Sequence, residues 1–423
     1  MKQNARWVFA AFLFAGILFS WFSPALHAAE IQQDELQIGL PDFPRRIERT
    51  LPPLRPDQEI RLGVLKLHPS FSSSVEYDDN ITLASKDEKE DMIFTQTPAL
   101  GVELEMGKHR FQAGYGMEIV DFAKDQEENT INHLANGVLE LNFNDLQIKL
   151  QDVLEKATNR SFSESSIRDN LITNSAEIDA RYDRPRWAGE IGWRHNTLAH
   201  RTEELNVDDL GEDILAMLGG YKVLPKTLFL LETDLGRVTY RNTGNPNQGY
   251  WQVLTGFRGE PTEKFAVTAK MGFQDRQLGD VPNQGSQTDF RGLVVNSDLS
   301  YRLSENDSAR LVYFRTPRLS TFGDNGWYRQ DRISASYAKR FYRKWVVTPE
   351  FGWQFNDYPE VVRVGSISKR RQDDFWLGGI SLRYEMREWV GAGVTYLFRH
   401  RNSNMNTFDF KNNRLTLDIT LAY

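Results

Sequence analysis

Charged side chains that recur at every second position are the residues best placed to do chemistry in this sequence. The acidic members are Glu103, Glu105, Glu118, Glu140, Glu190, Asp298, Glu350 and Asp418. The basic members are Arg181, Arg194, Lys270, Arg302, Arg383, Arg399 and Arg414. The positions flanking them are largely apolar, so residues i and i+2 share one face while their neighbours take the other. Such a face could line a hydrated conduit that sorts solutes by charge. It could equally consist of opposite charges paired across strands, which stiffens a wall. We expect most of the individual residues to be paired, while together they keep the face wet.

Other chemistries have weaker support. Glu103 and Glu105 form a carboxylate pair of the kind used in glycoside cleavage, but no substrate groove can be read beside them. His68 shares a face with Ser70 and Ser72, and no spacing completes a triad. No Walker, HExxH, GxSxG or dinucleotide fingerprint is present. There are no cysteines, which excludes disulfides, thiolate metal sites and an acylated N-terminal Cys. The run Asp87-Glu88-Lys89-Glu90-Asp91 is acidic enough to attract a divalent cation, yet it lacks the glycine and the spacing of a calcium loop. Neither a metal nor a cofactor is expected. Lys369, Arg370 and Arg371 are expected to end a long loop, as a site for lipopolysaccharide phosphates or an anionic polymer, or as a solvated basic patch.

The elements that carry these residues must be strands. Arg414–Tyr423 alternates strictly, with Leu415, Leu417, Ile419, Leu421 and Tyr423 on one face and Thr416, Asp418, Thr420 and Ala422 on the other. The segments 111–119, 265–274 and 345–355 obey the same rule. About 18 such segments fit between residues 64 and 423, at the length of tilted membrane-spanning strands. Their connections alternate in length. Short turns such as Gly107-Lys108, Asn144-Asp145, Pro225-Lys226 and Tyr342-Arg343 are separated by long polar stretches such as 78–91, 157–170, 199–213, 274–288, 316–326 and 356–374. Short turns on one rim and long loops on the other define an outer-membrane barrel. Trp187, Trp193, Trp251, Trp327, Trp345, Trp353, Trp376 and Trp389 lie near segment ends and are expected in the interfacial girdles.

The N-terminus reads as an export signal. Lys2 and Arg6 precede an apolar run from Trp7 to Phe22, followed by Ser23-Pro24 and Ala28-Ala29. Removing it takes the formal charge from −7 to −9, which argues against nucleic acid as a partner. Residues 30–63 carry five prolines among charges and are expected to stay extended in the periplasm or in the barrel mouth.

The segment from Leu67 to Ile81, with Tyr77-Asp78-Asp79-Asn80 at its end, resembles the opening strand of the beta-barrel porin (type 2) family. The resemblance implies an outer-membrane channel, often associated with exopolysaccharide synthesis and export systems. The terminal Tyr423 resembles the signal read by the barrel assembly machinery. The expectation is therefore an all-β, transmembrane, antiparallel up-and-down barrel of about 18 strands, with 16 as the alternative. It comprises a signal peptide (1–29), a periplasmic leader (30–63) and the barrel (64–423). The expected partners are outer-membrane lipid and lipopolysaccharide, the assembly machinery and periplasmic polysaccharide-export components. A barrel-wall hydrolase and a barrel that docks a periplasmic assembly are the alternative functions.

Overall fold

The computed structural model describes residues 60–159, 169–201, 208–242, 244–280, 287–320, 322–323, 325–365 and 367–422. The expected signal peptide, residues 30–59 of the leader and Tyr423 lie outside them. Nineteen strands are found among the described residues, and eighteen of them close one ring. They begin with β1 (Ile60–Leu62), β2 (Leu65–Asp78), β3 (Asp91–Met106), β4 (His109–Phe122), β5 (Thr130–Asn142) and β6 (Leu146–Asn159). Next come β7 (Asp169–Asp183), β8 (Trp187–His200), β9 (Leu210–Leu224), β10 (Thr227–Tyr240), β11 (Gln248–Thr262) and β12 (Phe265–Leu278). The ring is completed by β13 (Phe290–Arg302), β14 (Asp307–Leu319), β15 (Trp327–Phe341), β16 (Trp345–Val364), β17 (Ile367–Arg387), β18 (Val390–Ser403) and β19 (Phe410–Ala422).

Every strand pairs antiparallel with its sequence neighbour, and β19 returns to β2 with Arg414 opposite Asp78 and Ala422 opposite Ser70. Over the height where all its neighbours pair, a closed ring leaves no backbone edge facing lipid, and above Val295 β13 and β14 part. Below Ser70 the same edge of β2 is taken by β1, with Ile60 opposite Leu67 and Leu62 opposite Leu65. Ile60–Leu62 thus fills the wall beneath the end of the last strand. No described helix is long and apolar enough to cross a membrane.

Directly paired residues share a face, so the register divides the whole wall into an outer and an inner set. Leu417 is 52% exposed and points outward, whereas Thr416 beside it is 7% exposed and points inward. The outer band includes Leu415, Ile419, Val394, Ile380, Phe351, Leu311, Met271 and Leu231, all exposed. Water would not tolerate such a band, but lipid requires it.

The expected alternation of turns is present on the periplasmic rim. At Gly107 φ is +68°, and Tyr342 and Arg343 take φ of 47° and 62° without being glycine. On the other rim one expectation is corrected. Residues 356–374 form no loop, because β16 and β17 continue as strands to Val364 and from Ile367 and make a tall hairpin. Trp327 is also reassigned. It leaves the girdle and is buried against Phe290 (ring centroids 5.0 Å apart), with its Nε1 donating to the Thr288 carbonyl at 2.6 Å.

Candidate functional site: the barrel lumen

The register places all fifteen charged residues singled out from the sequence on the inner face. Most are engaged by a side chain on a nearby strand. In the periplasmic half, Lys66 Nζ lies 2.7 Å from Glu105 and 3.6 Å from Glu103. Arg110 meets Glu140 at 3.0 Å, Lys270 meets Glu232 at 2.7 Å, and Arg310 meets Asp298 at 2.5 Å. Glu190 receives both Arg181 and Arg258, while Arg194 reaches Glu177 at 3.3 Å and Arg383 reaches Asp418 at 3.5 Å. Glu118 accepts from Asn132 Nδ2 at 2.5 Å. Arg302 stands exposed at the periplasmic rim.

Glycines on neighbouring strands let these chains lie flat on the wall. A Cβ at Gly393 would overlap the Asp418 carboxylate, and one at Gly379 would come within 2.6 Å of a Glu350 oxygen. The result is an inner surface of alternating sign, in which opposite charges pair two or three strands apart as well as between neighbours.

The extracellular half is built differently. β13 and β14 pair only from Val295–Arg315 down to Arg302–Ser308. Above that point β14 stays with β15, and the tip of their hairpin reaches across the barrel. Leu319 joins an apolar cluster with Leu171, Leu198, Leu210, Val238 and Tyr240 on β7 to β10. The Gly326 carbonyl accepts from Gln248 Nε2 of β11 at 2.8 Å. On the opposite wall, Phe322 meets Tyr358 and Phe408 edge-on, at 6.0 and 5.1 Å. Asn325 Oδ1 accepts from the Glu360 backbone N–H at 2.8 Å. The tip therefore bridges the lumen from β7–β11 to β16–β19.

Arg371 anchors the second abutment. It has no exposed surface and pairs with Asp373 at 2.8 Å. Its guanidinium lies 3.9, 4.6 and 5.1 Å from the ring centres of Phe408, Phe322 and Tyr358. Desolvated contacts of this kind are each worth up to about 2 kcal/mol. Arg401 repeats the arrangement beside Phe410 (4.9 Å) and donates to the Phe408 carbonyl. This corrects the reading of Lys369, Arg370 and Arg371 as one loop patch. All three lie on strand β17, Lys369 and Arg370 are exposed, and Arg371 is a buried fastening.

The Asp-Asp-Asn segment closes the seam. Asp78 Oδ1 accepts from Asn412 Nδ2 at 2.7 Å and from the Asn80 backbone N–H at 2.9 Å. Asp79 takes the backbone N–H and the side chain of Asn413, at 2.7 and 2.6 Å. Asn80 Nδ2 donates to the Lys411 carbonyl at 3.0 Å. Arg399 caps this network from β18 through Asn412 at 3.0 Å, and Arg414 reaches Glu76 at 3.4 Å. Asp78, Asn80 and Asn412 have no exposed surface.

Lys89, Glu90 and Asp91 of the acidic run find protein partners, and so do several of the histidines. Asp91 accepts from the Lys124 and Asp125 backbone N–H groups, Lys89 meets Asp125 at 2.9 Å, and Glu90 meets Lys124 at 2.6 Å. Lys124, then Tyr77, hold the exposed Glu90 carboxyl below its ordinary pKa. No group of three or more metal-ligating side chains occurs among the described residues. Neither ring nitrogen of buried His68 has a hydrogen-bond partner, and His200 lies between Asp169 (3.3 Å) and Asp209 (3.1 Å). No described histidine is hydrogen-bonded to a serine.

An eighteen-strand closed barrel, apolar outside and charged inside, defines a porin-like outer-membrane protein. Residues 57–423 match the family described as Putative beta-barrel porin 2, and the chain belongs to that family. Among solved structures it is similar to the outer membrane protein OpdK from Pseudomonas aeruginosa (11% identity, 84% of this chain and 99% of that one, TM-score 0.47). It is also similar to OccK9 (OpdG) (10%, 85% and 98%, 0.48) and OpdQ (13%, 85% and 98%, 0.46) from the same organism. No curated protein matches it.

Proposed function

We propose that the protein is a hydrophilic diffusion channel whose outer mouth is narrowed by the β14–β15 tip. The observation that carries this reading is the change in the lumen along its axis: a charged wall of both signs leads up to one bridging element. Eighteen strands enclose more space than their own side chains fill, which leaves an aqueous path. Paired charges of both signs hydrate such a path without trapping an ion of either sign. Displacement of the tip would set the width of the opening. Planar-bilayer recording of the purified protein tests the reading. Discrete conductance steps are expected, and their absence after deletion of residues 320–326 would refute it.

The finer reading, a conduit for a secreted exopolysaccharide, is supported by the family resemblance of the Leu67–Ile81 segment. Its test is block of the channel by polymer. Neutral polysaccharide fragments added on the periplasmic side should reduce conductance in a length-dependent way, whereas blocking that does not vary with chain length would count against it.

A further inference from the structure

A groove of about 490 Å³ crosses the wall near its periplasmic end, lined mainly by apolar outward residues together with Arg310, Ser336 and Glu350 of the inward set. It is made by two outward rows in register. The lower row runs Phe265, Tyr301, Ala309 and Tyr337, and the upper row runs Leu299, Leu311, Ala335 and Phe351. Ala309 and Ala335 lie on a diagonal between β14 and β15, so two adjacent strands lack bulk where their neighbours carry rings. Pro349 borders the groove from β16. It has no N–H to give, and the β15–β16 ladder skips Tyr337 and Ala338 opposite it while keeping its register. The depression is therefore written into the residue types.

The rim below the groove is charged with both signs. Lys339 Nζ lies 3.2 Å from Asp307, which also accepts from Tyr337 Oη at 2.7 Å and from Ser304 Oγ at 2.6 Å. Lys264 directly precedes Phe265, and Glu263 and Glu305 sit in the two turns of the same rim. The features stack in the order of a membrane amphiphile in the inner leaflet: charged rim, tyrosine girdle, then a hydrocarbon slot. Lipopolysaccharide belongs to the opposite rim. Two lysines among three carboxylates suit a head that carries one phosphate and one ammonium better than a purely anionic one.

We propose that this groove holds the acyl chain of a zwitterionic glycerophospholipid of the inner leaflet. Its phosphate would lie at Lys264 and Lys339 and its amine at Glu305 and Asp307. A bound lipid would fill this concave stretch of wall below the parting of β13 and β14. The full chain, refolded into mixed micelles containing phosphatidylethanolamine or phosphatidylglycerol, can be tested by native mass spectrometry. The wild type should retain one phosphatidylethanolamine, at least tenfold in preference to phosphatidylglycerol. Ala309→Phe and Ala335→Leu should each abolish that retention while leaving heat-modifiable mobility unchanged, and Lys339→Glu should remove the headgroup preference. Equal retention by the groove-filled variants would overturn the proposal. So would equal retention of the two lipids, or an oligomer of the wild type that the filled variants dissociate, because the occupant would then be a second copy.

Discussion

The two halves of the lumen are lined by different chemistry. Towards the periplasm, side chains such as Arg110, Glu140, Arg310 and Asp298 pair along a wall that remains partly exposed. Towards the outside, Arg371, Asp373, Tyr358 and Met405 have no exposed surface, and the same strands carry a packed core. A charged pair in a wetted wall gains modestly, about 0.2–1 kcal/mol. A desolvated pair inside a ring of aromatics must be complete or it is costly. The comparison shows how one continuous sheet can be a conduit at one end and a closure at the other. The inward face of the periplasmic half is mainly charged, broken by a small apolar cluster of Ala188, Leu218, Leu228 and Leu230, and aromatic residues such as Phe322, Tyr358 and Phe408 gather where the barrel is bridged.

The largest expected effect falls on the packed half. Arg371→Ala leaves Asp373 buried without its main counter-charge and should destabilise the folded barrel by about 3–5 kcal/mol, read as a shift in urea-dependent unfolding in micelles. A loss under 1 kcal/mol would show that this half is as wet as the other. Next comes the seam. Asp78→Ala removes the acceptor of Asn412 and Asn80 and should cost about 1–3 kcal/mol, seen as a lower temperature of heat-modifiable migration. In the conduit half, Arg110→Gln leaves the partly exposed Glu140 charge unbalanced. An unpaired charge is worth about 1 kcal/mol at contact distance in water, so the cation-to-anion permeability ratio should rise by up to about fivefold in reversal-potential measurements, with little change in stability.

Two smaller effects lie at the rims. Arg343 holds φ at 62°, so Arg343→Gly should stabilise the periplasmic turn by about 1 kcal/mol. At the opposite rim the Glu90 carboxyl has a lowered pKa, first because of Lys124 and then because of Tyr77. A group lowered on folding stabilises above its unfolded pKa, and that contribution disappears as pH falls through the folded value. Contact between the 79–90 and 123–129 segments should therefore persist at neutral pH and loosen only in acid below the ordinary carboxylate range. Hydrogen exchange of those segments measures it, and loosening that begins above that range would contradict the assignment.

Much of the barrel was legible because a period of two survives in strand after strand. The row Leu415, Leu417, Ile419 fixes its own face, and closure fixes that of Ser70–Asp78 opposite. The inward set could be named for the same reason, since parity needs no tertiary knowledge. The bridge was not legible. Phe322 and Phe408 lie in segments with no period, and the lean of β14 away from β13 brings Phe322 to Arg371, beside which the β18–β19 connection holds Phe408. Arg371 itself was misread because a basic triplet near an apparent loop looks the same whether or not the strands continue through it. Asp78, Asp79 and Asn80 were noticed as a family-like segment, and the fold gives the reason: they clasp Asn412 and Asn413 across the closing seam.

Single-channel recording in planar bilayers, on the wild type and on Phe322→Ala, tests the central claim most directly. Phe322 bears on the cage that anchors the bridging tip, and removing its ring should loosen the closure without touching the charged wall. The account predicts brief, small openings in the wild type and longer, larger ones in the variant, with the same ion preference in both. Identical conductance and open times in the two proteins, or no conductance in either, would contradict it.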